Sequence, residues 1–174
     1  LHGRRVHLGT GGTALYVLDP ETGAKRPSRL ADVARLARLC DALDHIHFFM
    51  LPVFPTELPQ EAVDANRFYA ALQNTTKHVS GGVWHPDGIR DTLRLAAILA
   101  GGAEALRRRP IVSMICCVIS PLKLDKTYTA MLIQVAESGI PLIVPAEPLS
   151  GATAPVTLAG TVLQMNAETL AGVM

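Results

Sequence analysis

From Ser28 to Leu43 the apolar positions Leu30, Val33, Leu36, Ala37, Cys40 and Leu43 recur at the 3.6-residue spacing of one helical face, with Arg29, Arg35, Arg38 and Asp41 outside it. Ser28 stands where a helix cap is expected. The pattern then changes. HIHFFMLPVF is a short Ile/Phe/Val-rich run between Asp44 and Pro55 and predicts a buried strand. Pro59 suits a helix start, and EAVDANRFYAALQNT carries that helix to about Thr75. KHVSGGVW predicts the next strand, Asp87 a cap for a helix running through Leu106, and IVSMICCVIS a third strand. Asp125 can cap a helix that Gly139 ends, PLIVPAEP predicts a fourth strand, and PVTLAGTVLQMNAETL a last helix.

Ahead of this alternation, GTALYVLDPETGAKRPS reads as a strand, a turn at Pro20 to Gly23 and a return arm. The chain thus divides into a Gly-rich lead and β-hairpin, 1–27, and a βα-repeat portion, 28–174. Strand starts near His45, Lys77, Ile111 and Pro141 are 32, 34 and 30 residues apart, the length of one βα unit. Strict alternation predicts an α/β fold with a parallel sheet.

Two architectures meet that pattern, an open doubly wound sheet and part of a (β/α)8 TIM barrel. The first calls for a glycine fingerprint between strand and helix. GTGGTA precedes a strand, and its third glycine comes early, at Gly12. It reads as a flexible lead. The expectation is therefore a partial TIM barrel of about four βα units preceded by the hairpin. A full barrel typically takes about 250 residues. With no initiator Met and a last segment that stops on a helical pattern, the sequence reads as a piece of a longer chain.

Charge narrows the function classes. Sixteen Lys and Arg against 15 Asp and Glu in 174 residues leave a net charge of +1, so no overall field recruits nucleic acid or an anionic membrane. Arg107 to Arg109 sit before Pro110 and suit a solvated helix end. Cys40, Cys116 and Cys117 form no even framework, and neighbours on a strand point to opposite faces. They read as reduced, buried thiols of a cytoplasmic protein. No secretory h-region and no uninterrupted apolar run of 18 residues occurs.

In parallel α/β folds the loops after the strands' C-terminal ends build the site. That rule selects Phe54, Trp84 and His85, Ser120, and Glu147 with Ser150, Gly151 and Thr153. Two aromatics, one carboxylate and small residues suit an organic cation, because a quaternary ammonium is recognised by aromatic faces at ~1–2 kcal/mol each when desolvated. Each residue also has a plainer reading. Trp84 could plug the barrel mouth, Glu147 could pair with a structural Arg or Lys, and His85 before Pro86 could only begin the turn. His45 and His47 share a strand face but lack a third ligand at a zinc spacing, so no metal site is expected.

GGTALYVLDPETGAKRPS, LQNTTKHV, ISPL, GIPLIVPAEPLSGATAPVTLAG and NAETLAG, in that order, resemble the trimethylamine methyltransferase (MttB-like) family over nearly the whole chain. The resemblance implies a TIM-barrel enzyme, longer than this chain, that moves a methyl group from a methylated amine to the cobalt of a separate corrinoid protein in one-carbon metabolism such as methanogenesis. The corrinoid is carried by that partner. The substrate is trimethylamine, for members with pyrrolysine, or a quaternary amine such as glycine betaine. The pyrrolysine position falls beyond Met174, and a homo-oligomer is expected at full length. The family pattern is apolar where this sequence has Glu147, so Glu147 is expected to mark substrate choice. On this reading Phe54, Trp84, His85 and Glu147 face the substrate. Ser120, Ser150, Gly151 and Thr153 face the corrinoid, the small residues keep the barrel mouth open, and Thr153 or nearby N–H groups start the last helix. Against this stand a non-catalytic partial barrel serving as an assembly surface and a phosphate-binding TIM barrel with its anion at the last loop.

Overall fold

A computed structural model describes residues 5–174. The chain divides into two compact units, Leu1–Ser113 and Met114–Met174.

In the first unit, β1 (Tyr16–Leu18) and β2 (Lys25–Pro27) pair as the expected antiparallel hairpin. Asp19 Oδ1 accepts the Glu21 and Thr22 N–H groups at 3.2 Å each and so makes the turn. Arg26 ties the hairpin to the next helix through two 2.8 Å bonds to Asp32. Those bonds hold the Asp32 carboxyl below its ordinary range.

Helix α1 (Leu30–Asp41) begins one residue later than a Ser28 cap predicts. Arg29 is the N-cap, and Asp32 accepts its N–H at 2.9 Å. Ser28 is instead fully buried. Its hydroxyl donates to the Phe54 carbonyl, and its own carbonyl accepts the Thr56 N–H at 3.1 Å. The expected cap thus pins the chain just after the first βα strand.

That strand, β3 (Phe48–Met50), pairs in parallel with β4 (His78–Gly82), Phe48 opposite His78 and Met50 opposite Ser80. It is shorter than the apolar run because Pro52 has no N–H to continue the ladder. The glycine-rich lead is not free: residues 8–14 run parallel to β3. Ala14 donates to Pro52 at 2.8 Å and receives the Phe54 N–H at 2.9 Å. A bare strand edge invites pairing, and the lead satisfies it.

Helices α2 (Gln60–Leu72), α3 (Pro86–Ala100) and α4 (Ala103–Arg108) complete this unit. One continuous helix from Asp87 to Leu106 does not form. Gly101 and Gly102 take φ values of 85° and 126°, which only glycine adopts without strain, and split it in two. Val33, Ala37, Phe49, Leu51, Val63, Phe68, Val79 and Ile89 fill the core with essentially no exposure. Each buried phenylalanine contributes about 2–3 kcal/mol.

Strand β5 (Val112–Ile115) runs from the first unit into the second, where it pairs in parallel with β6 (Leu142–Ile143). β6 is much shorter than the run PLIVPAEP. Pro141 and Pro145 accept from Met114 and Val118 but cannot donate back. Helix α5 (Lys126–Ser138) starts and stops as expected: Asp125 accepts the Thr127 and Tyr128 N–H groups at 2.8 and 3.0 Å, and Gly139 ends it. Helix α6 (Leu158–Val173) begins well after Thr153 and Pro155. Thr157 is its cap and accepts the Gly160 N–H at 3.2 Å.

The four-stranded sheet has the order β3-β4-β5-β6. A doubly wound sheet reverses direction at its switch point, and this order does not reverse. The fold is α/β with a parallel sheet compatible with part of a barrel. Among the described residues no helix is long and apolar enough to cross a membrane.

Candidate functional site

Phe54, Trp84 and His85 belong to the first unit. Phe54 follows β3, where Ser28 and Ala14 hold its carbonyl and N–H. Trp84 follows β4. Their rings meet at right angles with centroids 5.7 Å apart, an edge-to-face corner that the π quadrupoles favour. Trp84 is 49% exposed. His85 is the N-cap of α3, and its Nδ1 accepts the Asp87 N–H at 3.3 Å. Asp87 was the expected cap; the imidazole two residues earlier performs that task, with Pro86 fitting the first helical position.

Beneath this corner lies a pair that sequence reasoning missed. Asp64 and Arg67 of α2 are 1% and 0% exposed, with Arg67 Nη1 3.9 Å from Asp64 Oδ1. Arg67 places its guanidinium 5.5 Å from the Phe54 ring centroid. One face of Phe54 therefore already carries a cation, and Trp84 is the ring left open to another. Asp64 Oδ2 accepts the Trp84 N–H at 2.8 Å and the His85 N–H at 3.2 Å. Burial pushes the Asp64 carboxyl above its ordinary range and lowers the Arg67 guanidinium to about 10. Asp64 Oδ1 and Arg67 Nε make no hydrogen bond. The signal was present in VDANRFYAAL, where Val63, Arg67, Ala70 and Ala71 share one helical face and an arginine stands on the core stripe.

In the second unit Glu168 of α6 organises two loops. It is 3% exposed and accepts from Ser120 Oγ at 2.6 Å, from the Leu122 N–H at 2.8 Å and from Gln164 Nε2 at 2.8 Å. Gln164 Nε2 also donates to the Thr153 carbonyl at 2.6 Å. Ser120 and Thr153 are thereby linked through α6. Desolvation opposes ionisation of Glu168, but the Ser120, Leu122 and Gln164 hydrogen bonds outweigh it and hold the carboxyl below its ordinary range. Glu168 is the only charged residue of α6, which is the sign that the sequence offered.

Residues 149–154 form a closed turn. The Ala152, Thr153 and Ala154 N–H groups converge on the Leu149 carbonyl at 2.9–3.0 Å, and Gly151 donates to Ala154. Thr153 Oγ1 accepts the Leu149 N–H at 2.8 Å, and Ser150 Oγ lies 2.8 Å from Thr161 Oγ1. Glu147 lies beyond the end of β6 and is exposed, which removes the reason to expect a structural cation beside it. Its charge bears on Cys117, where desolvation first and Glu147 second raise the thiol pKa. Cys117 is exposed and Cys116 buried, so the alternation holds while the expectation of three buried thiols fails at Cys117. An open groove of about 970 Å³ lies between the 144–146 segment and α6, lined by apolar side chains including Leu158, Val162 and Leu163.

Among the described residues no group of three or more His, Cys, Asp or Glu could hold a metal ion. His45 and His47 are exposed, and His47 Nδ1 accepts the Leu8 N–H at 3.0 Å.

The chain is a parallel α/β protein with a half-exposed tryptophan after one strand and a small-residue turn after another. The family model for trimethylamine methyltransferase (MTTB) matches residues 1–174, and the chain belongs to that family. It is 34% identical to the trimethylamine methyltransferase MttB of Desulfitobacterium hafniense over all of this chain and 35% of that protein. Against the MttB of Methanosarcina barkeri it is 34% identical over 99% of this chain and 36% of the other. A glycine betaine methyltransferase of Desulfitobacterium hafniense is 30% identical over 95% of this chain and 34% of its own length. The chain thus spans about a third of the curated relatives it matches.

Proposed function

We propose that this chain is the part of a TIM-barrel methyltransferase that receives a methylated amine, with Trp84 facing the substrate nitrogen and the methyl group passing to the cobalt of a corrinoid on a partner protein. The observation that carries the reading is the perpendicular Phe54–Trp84 pair after β3 and β4. Arg67 on one face of Phe54 leaves Trp84, half exposed, as the ring for an incoming cation. In the transfer the C–N bond breaks, its electron pair stays on the departing neutral amine, and a low-valent cobalt supplies the pair for the new C–Co bond. A quaternary substrate needs no general base. The protein's contribution is then orientation and exclusion of water. A carboxylate in contact with the cation would favour the ground state over the transition state, so the exposed Glu147 is assigned to attracting the substrate and not to contacting its nitrogen.

The corrinoid enters as a substrate, its cobalt held by its own macrocycle and brought by the carrier protein. Ser120, Ser150, Gly151 and Thr153 are assigned to the face it meets. Their polar groups are engaged within the fold, which leaves a preformed surface.

The phosphate-binding alternative is weakened by the same loop. The N–H groups of residues 151–154 are taken by Leu149 and Ala154, and residues 141–174 contain no Lys or Arg. The deciding experiment mixes the full-length protein with a reduced corrinoid protein and a panel of trimethylamine, glycine betaine and other methylated amines, and follows methyl-cobalt absorption. Methylation with at least one amine is expected. No signal with any amine removes the proposed reaction.

A further inference from the structure

Backbone N–H groups just ahead of α3, beside the aromatic corner, form a place that could receive an anion. It is already filled from within the chain, because Asp64 Oδ2 takes both the Trp84 and His85 N–H groups. Gly88 makes this possible. A Cβ there would lie 2.4 Å from Asp64 Oδ2, inside any tolerable contact, so the first turn of α3 is bare where the carboxylate enters. The same helix α2 supplies Arg67, which reaches the Phe54 ring, the Gly82 carbonyl at 3.5 Å and Thr13 Oγ1 at 3.4 Å. One buried pair thus touches the backbone of one ring and the face of the other.

A pair placed for stability alone would close its hydrogen bonds. This one leaves Asp64 Oδ1 and Arg67 Nε unbonded and burial works against both charges, a cost that well-packed apolar residues of similar volume would avoid. What apolar residues could not replace is the acceptor beneath the Trp84 N–H.

Resting on the reading of Trp84 as the cation-facing ring, we propose that Asp64 is a positioning residue: through the Trp84 and His85 N–H groups it fixes the 82–85 turn and so sets the face that Trp84 presents to the methylated nitrogen. Arg67 is its counter-charge.

The test labels the full-length protein with 5-fluorotryptophan and assigns the Trp84 resonance by its loss in Trp84→Phe. Two charge-matched variants are compared, Asp64→Asn with Arg67→Met, which keeps an acceptor oxygen, and Asp64→Ala with Arg67→Met, which does not. The first is expected to keep the wild-type ¹⁹F shift and its response to tetramethylammonium. The second is expected to displace or broaden the resonance and to weaken tetramethylammonium binding at least tenfold while its melting stays cooperative. Gly88→Ala alone, which drives the carboxylate off the turn, should move the resonance in the same way. An unchanged resonance in both the Asp64→Ala pair and Gly88→Ala overturns the proposal. If wild type itself gives no response to tetramethylammonium, the reading of Trp84 as cation-facing fails, and the ligand-free resonances still decide whether Asp64 positions it.

Discussion

Asp64 in the first unit and Glu168 in the second are both buried carboxylates on helices, and both accept backbone N–H groups from a βα loop, yet their acidities move in opposite directions. Asp64 has a guanidinium 3.9 Å away and Glu168 has no cation among its hydrogen-bond partners. By simple charge pairing Asp64 should be the stronger acid. Desolvation raises both acids and prevails only at Asp64, and the use of the oxygens adds to that difference. Glu168 has both oxygens bonded, Oε2 to the Ser120 hydroxyl and Oε1 to Leu122 and Gln164. Asp64 puts two N–H groups on Oδ2 and leaves Oδ1 bare. Its cation is itself stripped of water and not hydrogen-bonded to it. Donors directed at both oxygens therefore stabilise a buried carboxylate more than an unbonded, desolvated counter-charge does.

The largest effect that could break this comparison comes from removing each acid in turn. Asp64→Ala strands Arg67 in the core and is expected to cost about 3–5 kcal/mol. Glu168→Ala leaves neutral donors unpaired, at about 1–3 kcal/mol. Urea midpoints at neutral pH give both values. A Glu168 variant as damaging as the Asp64 variant would show that the uncompensated charge is not the deciding term.

Next in size is the contact that admits the Asp64 carboxylate. Gly88→Ala is expected to destabilise by about 1–3 kcal/mol, because the added methyl and Oδ2 compete for one space. In an Asp64→Ala background that space is vacant, so the added methyl should cost much less. A double-mutant cycle measures the interaction, and strict additivity would mean that the two residues do not compete.

These sites also show what the sequence makes legible. Periodicity located the alternating elements because burial of one face imposes it: the observed strand starts, Phe48, His78, Val112 and Leu142, lie within three residues of those expected. Glycine and aspartate marked both ends of α5. Capping chemistry misled wherever two candidate residues stood close together or the candidate was claimed by another partner. Ser28 resembles a cap but is consumed by Phe54, and His85 preempts Asp87. Strand lengths were overread at Pro52, Pro141 and Pro145, since hydrophobicity continues through a proline while hydrogen bonding does not. Phe54 and Trp84 were recoverable because the barrel rule names the loop that carries them. Arg67 and Glu168 showed in the sequence only as charges on apolar helix faces, and their roles with Asp64 were not legible, because the partners lie far along the chain, such as Gly82 for Arg67 and Ser120 for Glu168.

The smallest effect is also the one that sharpens the contrast most, since it reads the two acids through their protons. Glu168 has a folded-state pKa below its ordinary 4.5, so the stability it contributes is present above that value and is lost as the pH falls through the folded pKa. Asp64 behaves in the opposite sense. Its folded-state pKa lies above 3.8, so protonation relieves a burial cost, and its favourable contribution is lost as the pH rises through the folded value. Urea midpoints between pH 7 and pH 3 should therefore fall less steeply on the acid side in Glu168→Gln than in wild type. In the pair Asp64→Asn with Arg67→Met they should fall more steeply, because the compensating proton uptake is gone. Identical acid limbs in all three proteins would mean that neither carboxylate differs from its unfolded state, and the contrast between two-oxygen bonding and an unbonded counter-charge would have no thermodynamic content.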